Sequence, residues 1–144
     1  MQAALAEARA AAGEGEVPVG AVVVRDGAII ARGRNSVERL RDPTAHAEVL
    51  AIGAAAGACG DWRLSGCTLV VTLEPCPMCL GAALNARLDR VVFAAREPKF
   101  GACGSRVDLS AIPGYNHRLA VEDGVMAEES AELLRDFFRR LRRS

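Results

Sequence analysis

The chain has 144 residues, 51% of them hydrophobic and 25% charged, and its formal net charge is zero. That is room for one domain with its own core and no need of disulfide staples; it excludes a disordered chain, a collagen-like fibre and a protein that grips nucleic acid by bulk charge alone. No uncharged apolar run of about 18 residues is present, so no transmembrane helix is expected, and Glu7 and Arg9 break up Met1–Ala12, which does not read as a signal peptide, so a cytoplasmic location is expected.

Residues 3–12 are Ala-rich and predict a first helix, ended by Gly13 and Gly15. The β-branched run Val17–Arg25 and the short apolar run Ala28–Arg32 read as strands. Asp26-Gly27 between them reads as a tight hairpin turn, since both residues tolerate positive φ. Residues 33–43 are polar and Arg-rich and read as a loop. Thr44 is placed to cap a helix that runs to about Ala56 and stops at Gly57. Thr68–Leu73 reads as a buried strand, Cys76–Arg87 as a helix after Pro75, and Arg90–Ala94 as another buried strand. Residues 95–116 hold Gly, Pro and Ser and read as loop, with room for one short helix; Arg118–Val121 fits an edge strand. Glu128–Arg143 predicts an amphipathic helix with Leu134, Phe137, Phe138 and Leu141 on one face. Strands alternating with helices predict a layered α/β domain, helices packed on a mixed sheet, with no repeat and no linker over residues 1–144.

Two short segments carry chemistry. Pro43-Thr44-Ala45-His46-Ala47-Glu48 and Glu74-Pro75-Cys76-Pro77-Met78-Cys79 each sit where a loop or strand enters a helix. Cys76 and Cys79 are three apart and share a face of a first helical turn. With His46 they make two sulfurs and one imidazole nitrogen, a zinc-type donor set that leaves a coordination position open for water. Helix N-termini carry partial positive charge and lower the pKa of thiols placed there. Zinc lowers the pKa of a bound water from about 15.7 to about 7. Glu48, two residues past His46, is placed beside the metal rather than on it, as a general acid–base group. Alone, H-x-E or C-x-x-C says little; H-x-E opening one helix and P-C-x-x-C opening the next is a specific combination. The other cysteines, Cys59, Cys67 and Cys103, read as small buried hydrophobes, and no disulfide is expected.

The H-x-E…P-C-x-x-C pattern is the signature of zinc nucleobase deaminases. Together with Val17-Pro18-Val19-Gly20-Ala21-Val22, Asp42–Glu48, Thr72–Cys79, Arg90-Val91-Val92-Phe93 and Gly101-Ala102-Cys103-Gly104-Ser105, the sequence resembles the bacterial tRNA-specific adenosine deaminases. The likeness runs from about Val17 to Phe138. It implies a three-layer α/β/α fold on a five-stranded mixed sheet. It implies one Zn2+ per chain on His46, Cys76 and Cys79, with Glu48 moving protons. It implies a homodimer, and a reaction that turns the wobble adenosine of a tRNA anticodon into inosine with release of ammonia. The family's base pocket maps here to the Asn35 side chain and the Ala47 N–H, with Val17 and Leu73 as apolar walls.

A target base in a single-stranded loop can be splayed into such a pocket, so the tRNA anticodon stem-loop is the expected partner, with neither DNA nor membrane. Arg34, Arg39, Arg96, Lys99, Arg106, Arg139, Arg140, Arg142 and Arg143 are the candidates for phosphate contact. Phe100 and Phe138 are candidates for stacking, although Phe138 also fits the core stripe of its helix. Two other readings share the zinc set. One is a free nucleobase or nucleoside deaminase of cytosine or guanine type. The other is a noncatalytic zinc module, which needs a fourth ligand, Cys103 or His117.

Overall fold

The computed structural model describes residues 1–144. In chain order it contains α1 (Gln2–Gly13), β1 (Gly20–Arg25), β2 (Ala28–Arg34), α2 (Val37–Leu40), α3 (Ala47–Cys59), β3 (Cys67–Leu73), α4 (Pro77–Asn85), β4 (Arg90–Ala95), β5 (Ala120–Glu122) and α5 (Ala127–Arg143). The five strands form one sheet in the order β2-β1-β3-β4-β5. β1 is antiparallel to β2 and β3, while β3, β4 and β5 run parallel. The expected mixed five-stranded sheet with flanking helices is the fold observed.

Local chemistry accounts for the connections. Asp26 and Gly27 turn the hairpin with φ of 51° and 76°, the left-handed pair that a two-residue type I′ turn requires. β3 and β4 are parallel and must be joined by a crossover, which α4 supplies. Alternation then divides the strands between two layers. Ala21 and Val23, Leu69 and Val71, Val91 and Phe93 point into one core with Ala47, Ala51 and Ala55 of α3 and Leu80, Ala83 and Leu84 of α4. α1 and α5 cover the opposite face. No helix is long and apolar enough to cross a membrane.

Glycine sets how closely α3 rides on the sheet. A Cβ on Gly33 of β2 would stand 2.7 Å from the Ala51 N and against the Ala47 carbonyl, both helix backbone that cannot swing aside. Gly33→Ala is therefore expected to destabilise the protein by about 1–3 kcal/mol, as overpacking does. It should lower activity too, since α3 begins with the site residues. Urea unfolding at equal m-value measures the loss; unchanged stability would mean that the contact is not rigid.

Several expected boundaries move. Val17-Pro18-Val19 is not strand: the Val19 N–H bonds the Val17 carbonyl at 2.8 Å in a tight turn, and β1 starts at Gly20. Residues 33–43 are not all loop, because β2 continues to Arg34 and α2 follows. Thr44 does not cap α3. Its N–H and hydroxyl both donate to the Asp42 carboxylate, at 2.8 and 2.7 Å, and His46 takes the N-cap position. α3 runs through Gly57 and ends at Gly60, whose φ of 66° is left-handed. The stretch 95–116 holds turns and an isolated Cys103–Asp108 bridge but no helix. The last strand starts two residues later than expected and spans Ala120–Glu122.

α5 carries a correction of substance. Leu134 and Phe137 are half-buried, but Phe138 is 41% and Leu141 58% exposed, so the expected core stripe is core only in part. The helix is held instead through the buried Ser130, whose hydroxyl donates to the Thr72 carbonyl of β3. Its remaining apolar side faces a cleft. Cys67 and Cys103 are buried as expected; Cys59, the last residue of α3, is half-buried, and Arg25 donates to its sulfur at 3.4 Å.

Candidate metal centre and its cleft

The site forms where β3 ends and α3 and α4 begin, at the carboxyl edge of the parallel strands, where open α/β sheets bind ligands. His46 is the N-cap residue of α3 and Cys76 that of α4, both with extended backbone. Pro77 follows at N1, where the missing N–H costs nothing. Cys79, one turn into α4, is fully buried. Two helix N-termini thus converge on one point and bias it toward anionic ligands.

His46 Nδ1 lies 3.7 Å from Cys76 Sγ and 3.4 Å from Cys79 Sγ, and the three donor atoms all fall within 4.8 Å of one another. A tetrahedral ion with ligand bonds of about 2.0 Å to nitrogen and 2.3 Å to sulfur separates such a pair by about 3.6 Å. The donor set and its spacing therefore fit zinc. No fourth His, Cys, Asp or Glu joins the group. His117 bonds the Leu88 carbonyl at 2.6 Å, and the Cys103 backbone N–H is bonded to Glu74. Neither residue supplies the fourth ligand that a purely structural zinc module needs.

Protonation of these groups reflects their crowding. The Cys79 thiol and the His46 ring hydrogen-bond the Cys76 sulfur and pull its pKa down to about 4. The same bond to Cys76, reinforced by burial, pushes Cys79 far up. His46 is raised by its bond to Cys76. A cation between the sulfurs removes this inequality, because it favours the thiolate at both. Glu48 stands beside them, 4% exposed, and burial raises its carboxyl to about 7. A carboxyl that changes protonation near neutrality is suited to moving protons.

Above these groups opens a cleft of about 760 Å³. Its floor holds His46, Ala47, Glu48 and Cys76; its walls include Val17, Leu73 and Asn35; its rim holds Met78, Phe100, Phe137, Phe138 and Leu141. All eight residues singled out as site residues therefore gather in one region, with Cys79 behind the floor. Asn35 is 9% exposed, and its Oδ1 is a buried polar atom without a partner, while its Nδ2 reaches the Val17 carbonyl at 3.4 Å. An orphaned acceptor in a pocket wall is costly unless a ligand satisfies it. Ala47, at N1 of α3, points an N–H of the kind that the helix itself leaves unsatisfied.

The basic candidates divide. Arg34 pairs with Glu7 and Glu14, Arg39 with Glu14, Arg96 with Asp123 and Arg139 with Asp136, so four of the nine are engaged within the chain. Two acidic residues escaped the sequence reading. Glu16, 1% exposed, caps α2 by accepting the Glu38 and Arg39 N–H groups at 3.0 and 2.8 Å. Glu74, 2% exposed, accepts bonds from the loop after β4. The only signal was position: Glu16 and Glu74 each stand next to apolar residues that enter the core.

A family model described as MafB19-like deaminase matches residues 1–142. The chain is 48% identical to the tRNA-specific adenosine deaminase of Bacillus subtilis (strain 168), over 99% of this chain and 89% of that protein. It is 53% identical to a part of the tRNA(Ile)-lysidine synthase of Deinococcus radiodurans that spans 25% of that protein. Among solved structures, one described under A-to-I editing by tRNA:A34 deaminases at the wobble position of transfer RNA superposes with a TM-score of 0.90. It is 47% identical, over 93% of this chain and 97% of that one.

Proposed function

The chain belongs to the MafB19-like deaminases and, within them, to the tRNA-specific adenosine deaminases, and from that premise we propose that it is one deaminase domain, residues 1–144, that converts the wobble adenosine of an anticodon loop to inosine and ammonia. The observation that carries the reading is the convergence of His46, Cys76 and Cys79 beside buried Glu48 at the floor of an apolar cleft.

In this reading His46, Cys76 and Cys79 hold one Zn2+ per chain. When bound, the ion acts as a Lewis acid that makes water a nucleophile at neutral pH. The rest is the work of the chain. Val17 and Leu73 flank the adenine and keep bulk water out. The Ala47 N–H and Asn35 orient it by hydrogen bonds. Glu48 takes a proton from the attacking water and gives it to the ring nitrogen next to the carbon that bears the amino group. An oxygen–carbon bond forms at that carbon. Glu48 then moves the second water proton to the amino group, the carbon–nitrogen bond breaks and ammonia leaves. The burial that raises Glu48 to about 7 supports this role, because the group can hold a proton in one step and release it in the next.

The same proposal takes the tRNA anticodon stem-loop, not DNA, as partner, and the 2′-hydroxyl is the chemical difference available to tell them apart. A homodimer, which rests on the resemblance, and a cytoplasmic location complete it. The test is incubation of metal-loaded protein with an anticodon stem-loop and, separately, with free adenine, cytosine and guanine. Inosine is expected in the RNA alone. Turnover of a free base without any in the RNA would replace the reading with the small-molecule one.

Asn35 offers an independent check. Asn35→Ala removes the orphaned Oδ1, and kcat/KM for the stem-loop should fall about tenfold or more, the size of one lost buried hydrogen bond. Metal content should not change, since Asn35 is outside the donor group. Wild-type kcat/KM would exclude Asn35 from base recognition.

A further inference from the structure

Glu74 follows the last residue of β3 and precedes Cys76 by two, yet it is 2% exposed and faces away from solvent with a full set of partners. Its carboxylate accepts the N–H groups of Glu97 at 3.1 Å, Cys103 at 3.0 Å and Ser105 at 3.1 Å, together with the Ser105 hydroxyl. Main-chain bonds reinforce the seam: the Glu74 N–H reaches the Ala95 carbonyl and the Ala102 N–H the Pro75 carbonyl, each at 2.8 Å. Gly101 packs so closely on the carboxylate that a Cβ there would overlap it. One buried side chain thus gathers both ends of residues 97–105. The apex of that loop carries Lys99 and Phe100, and Phe100 is 66% exposed at the rim of the cleft.

A buried carboxylate with four donors from one loop is more than a core residue needs. A loop without helix or strand has many conformations, and an aromatic ring at its apex is useful to a ligand only if the backbone beneath it is held. Exposed aromatic rings at the edge of a nucleobase pocket are stacking surfaces for bases, worth a factor of about 5 to 150 in affinity per base. We propose that Glu74 is a positioning residue for the RNA: it ties residues 97–105 to the metal-ligand segment and so presents Phe100 as a fixed stacking surface for the base that flanks the reacting adenosine. This rests on the tRNA reading above.

The test compares Glu74→Gln, Ser105→Ala and Phe100→Ala in the metal-loaded protein, by stem-loop kinetics and amide hydrogen exchange. Glu74→Gln keeps the shape but forces an NH2 against N–H donors. KM should rise at least about fivefold with kcat within about twofold and metal content unchanged. Amides of Glu97, Cys103 and Ser105 should exchange at least about tenfold faster, with those of α3 and α4 unaffected. Phe100→Ala should raise KM to the same degree, Phe100→Tyr should not, and the Glu74→Gln/Phe100→Ala double variant should be no worse than Phe100→Ala. A fall in kcat instead of a rise in KM, or a silent Phe100→Ala, overturns the proposal. Should Glu74→Gln fail to fold, Ser105→Ala removes one donor and leaves the carboxylate, and KM must still rise about twofold or more. If wild-type protein leaves the stem-loop untouched, the tRNA reading has failed; exchange still decides the tether, and unchanged rates at those three amides refute it.

Discussion

Glu48→Ala should retain its metal and lose turnover by about 10²- to 10⁴-fold, the usual weight of a general acid–base group. The two halves of this expectation have separate origins. The donor group consists of His46, Cys76 and Cys79, so nothing in it is lost with Glu48. The carboxyl, in contrast, is the only acidic side chain placed by the sequence beside His46 on the first turn of α3, and it is buried where bulk water cannot replace it as proton carrier. Glu48→Gln separates the proton from the volume, since it fills the same space and cannot shuttle. Both variants should bind the stem-loop with near wild-type KM, because the lost contact matters mainly in the transition state. Turnover within tenfold of wild type in either, at full metal content, would take Glu48 out of the mechanism and leave the base to be found elsewhere in the cleft.

How much of this was legible in the sequence depends on the range over which each feature is determined. The Asp26-Gly27 turn and the crossover helix after Pro75 follow from residue chemistry within a few positions, while the convergence of the H-x-E and P-C-x-x-C segments, about 30 residues apart, was legible from the donor set they make together; the structure contains all three. The errors lie where another group, near or distant in sequence, takes over from the local pattern. Thr44 looked like a cap, yet Asp42 takes both its donors, and α3 starts only after His46 has been placed for the site. The helix α2 is four residues long and has too few internal bonds to stand alone; Glu16, over 20 positions away, supplies the missing acceptors, so the local pattern read as loop. Phe138 had the spacing of a core residue, but spacing only says which side of a helix is apolar. Whether that side meets a sheet or an open cleft depends on where the neighbouring loops stop, and here it is 41% exposed at a rim. Glu74 is the same lesson: nothing nearby in the sequence marks it as a buried anchor, because its donors come from a loop more than 20 positions on.

Removal of the metal should abolish activity and also soften the fold, and the two effects should be recovered together. Three donors from two helix N-termini are held close without a covalent link, with the Cys76 thiol pulled down to about 4 and the Cys79 thiol pushed up by their mutual hydrogen bond. A cation bound by donors from both helices ties α3 to α4, so binding energy for the ion is folding energy for the α3–α4 junction. At a thousandfold excess over Kd a ligand adds about 4 kcal/mol, which for a domain of this size corresponds to roughly 8–16 °C in Tm. Chelation should therefore lower Tm by about that much, and added Zn2+ should restore both Tm and turnover. Cys76→Ser makes the loss permanent. Its hydroxyl is a poor zinc ligand, so elemental analysis should find metal content near zero against one ion per chain in the wild type, and added Zn2+ should recover neither property. Glu48→Ala provides the contrast, since it loses turnover but keeps the ion and the Zn2+-dependent part of Tm. A chelated protein with unchanged Tm, or a Cys76→Ser variant that binds one ion as tightly as wild type, would mean that the imidazole and the two sulfurs converge for packing and not for a metal.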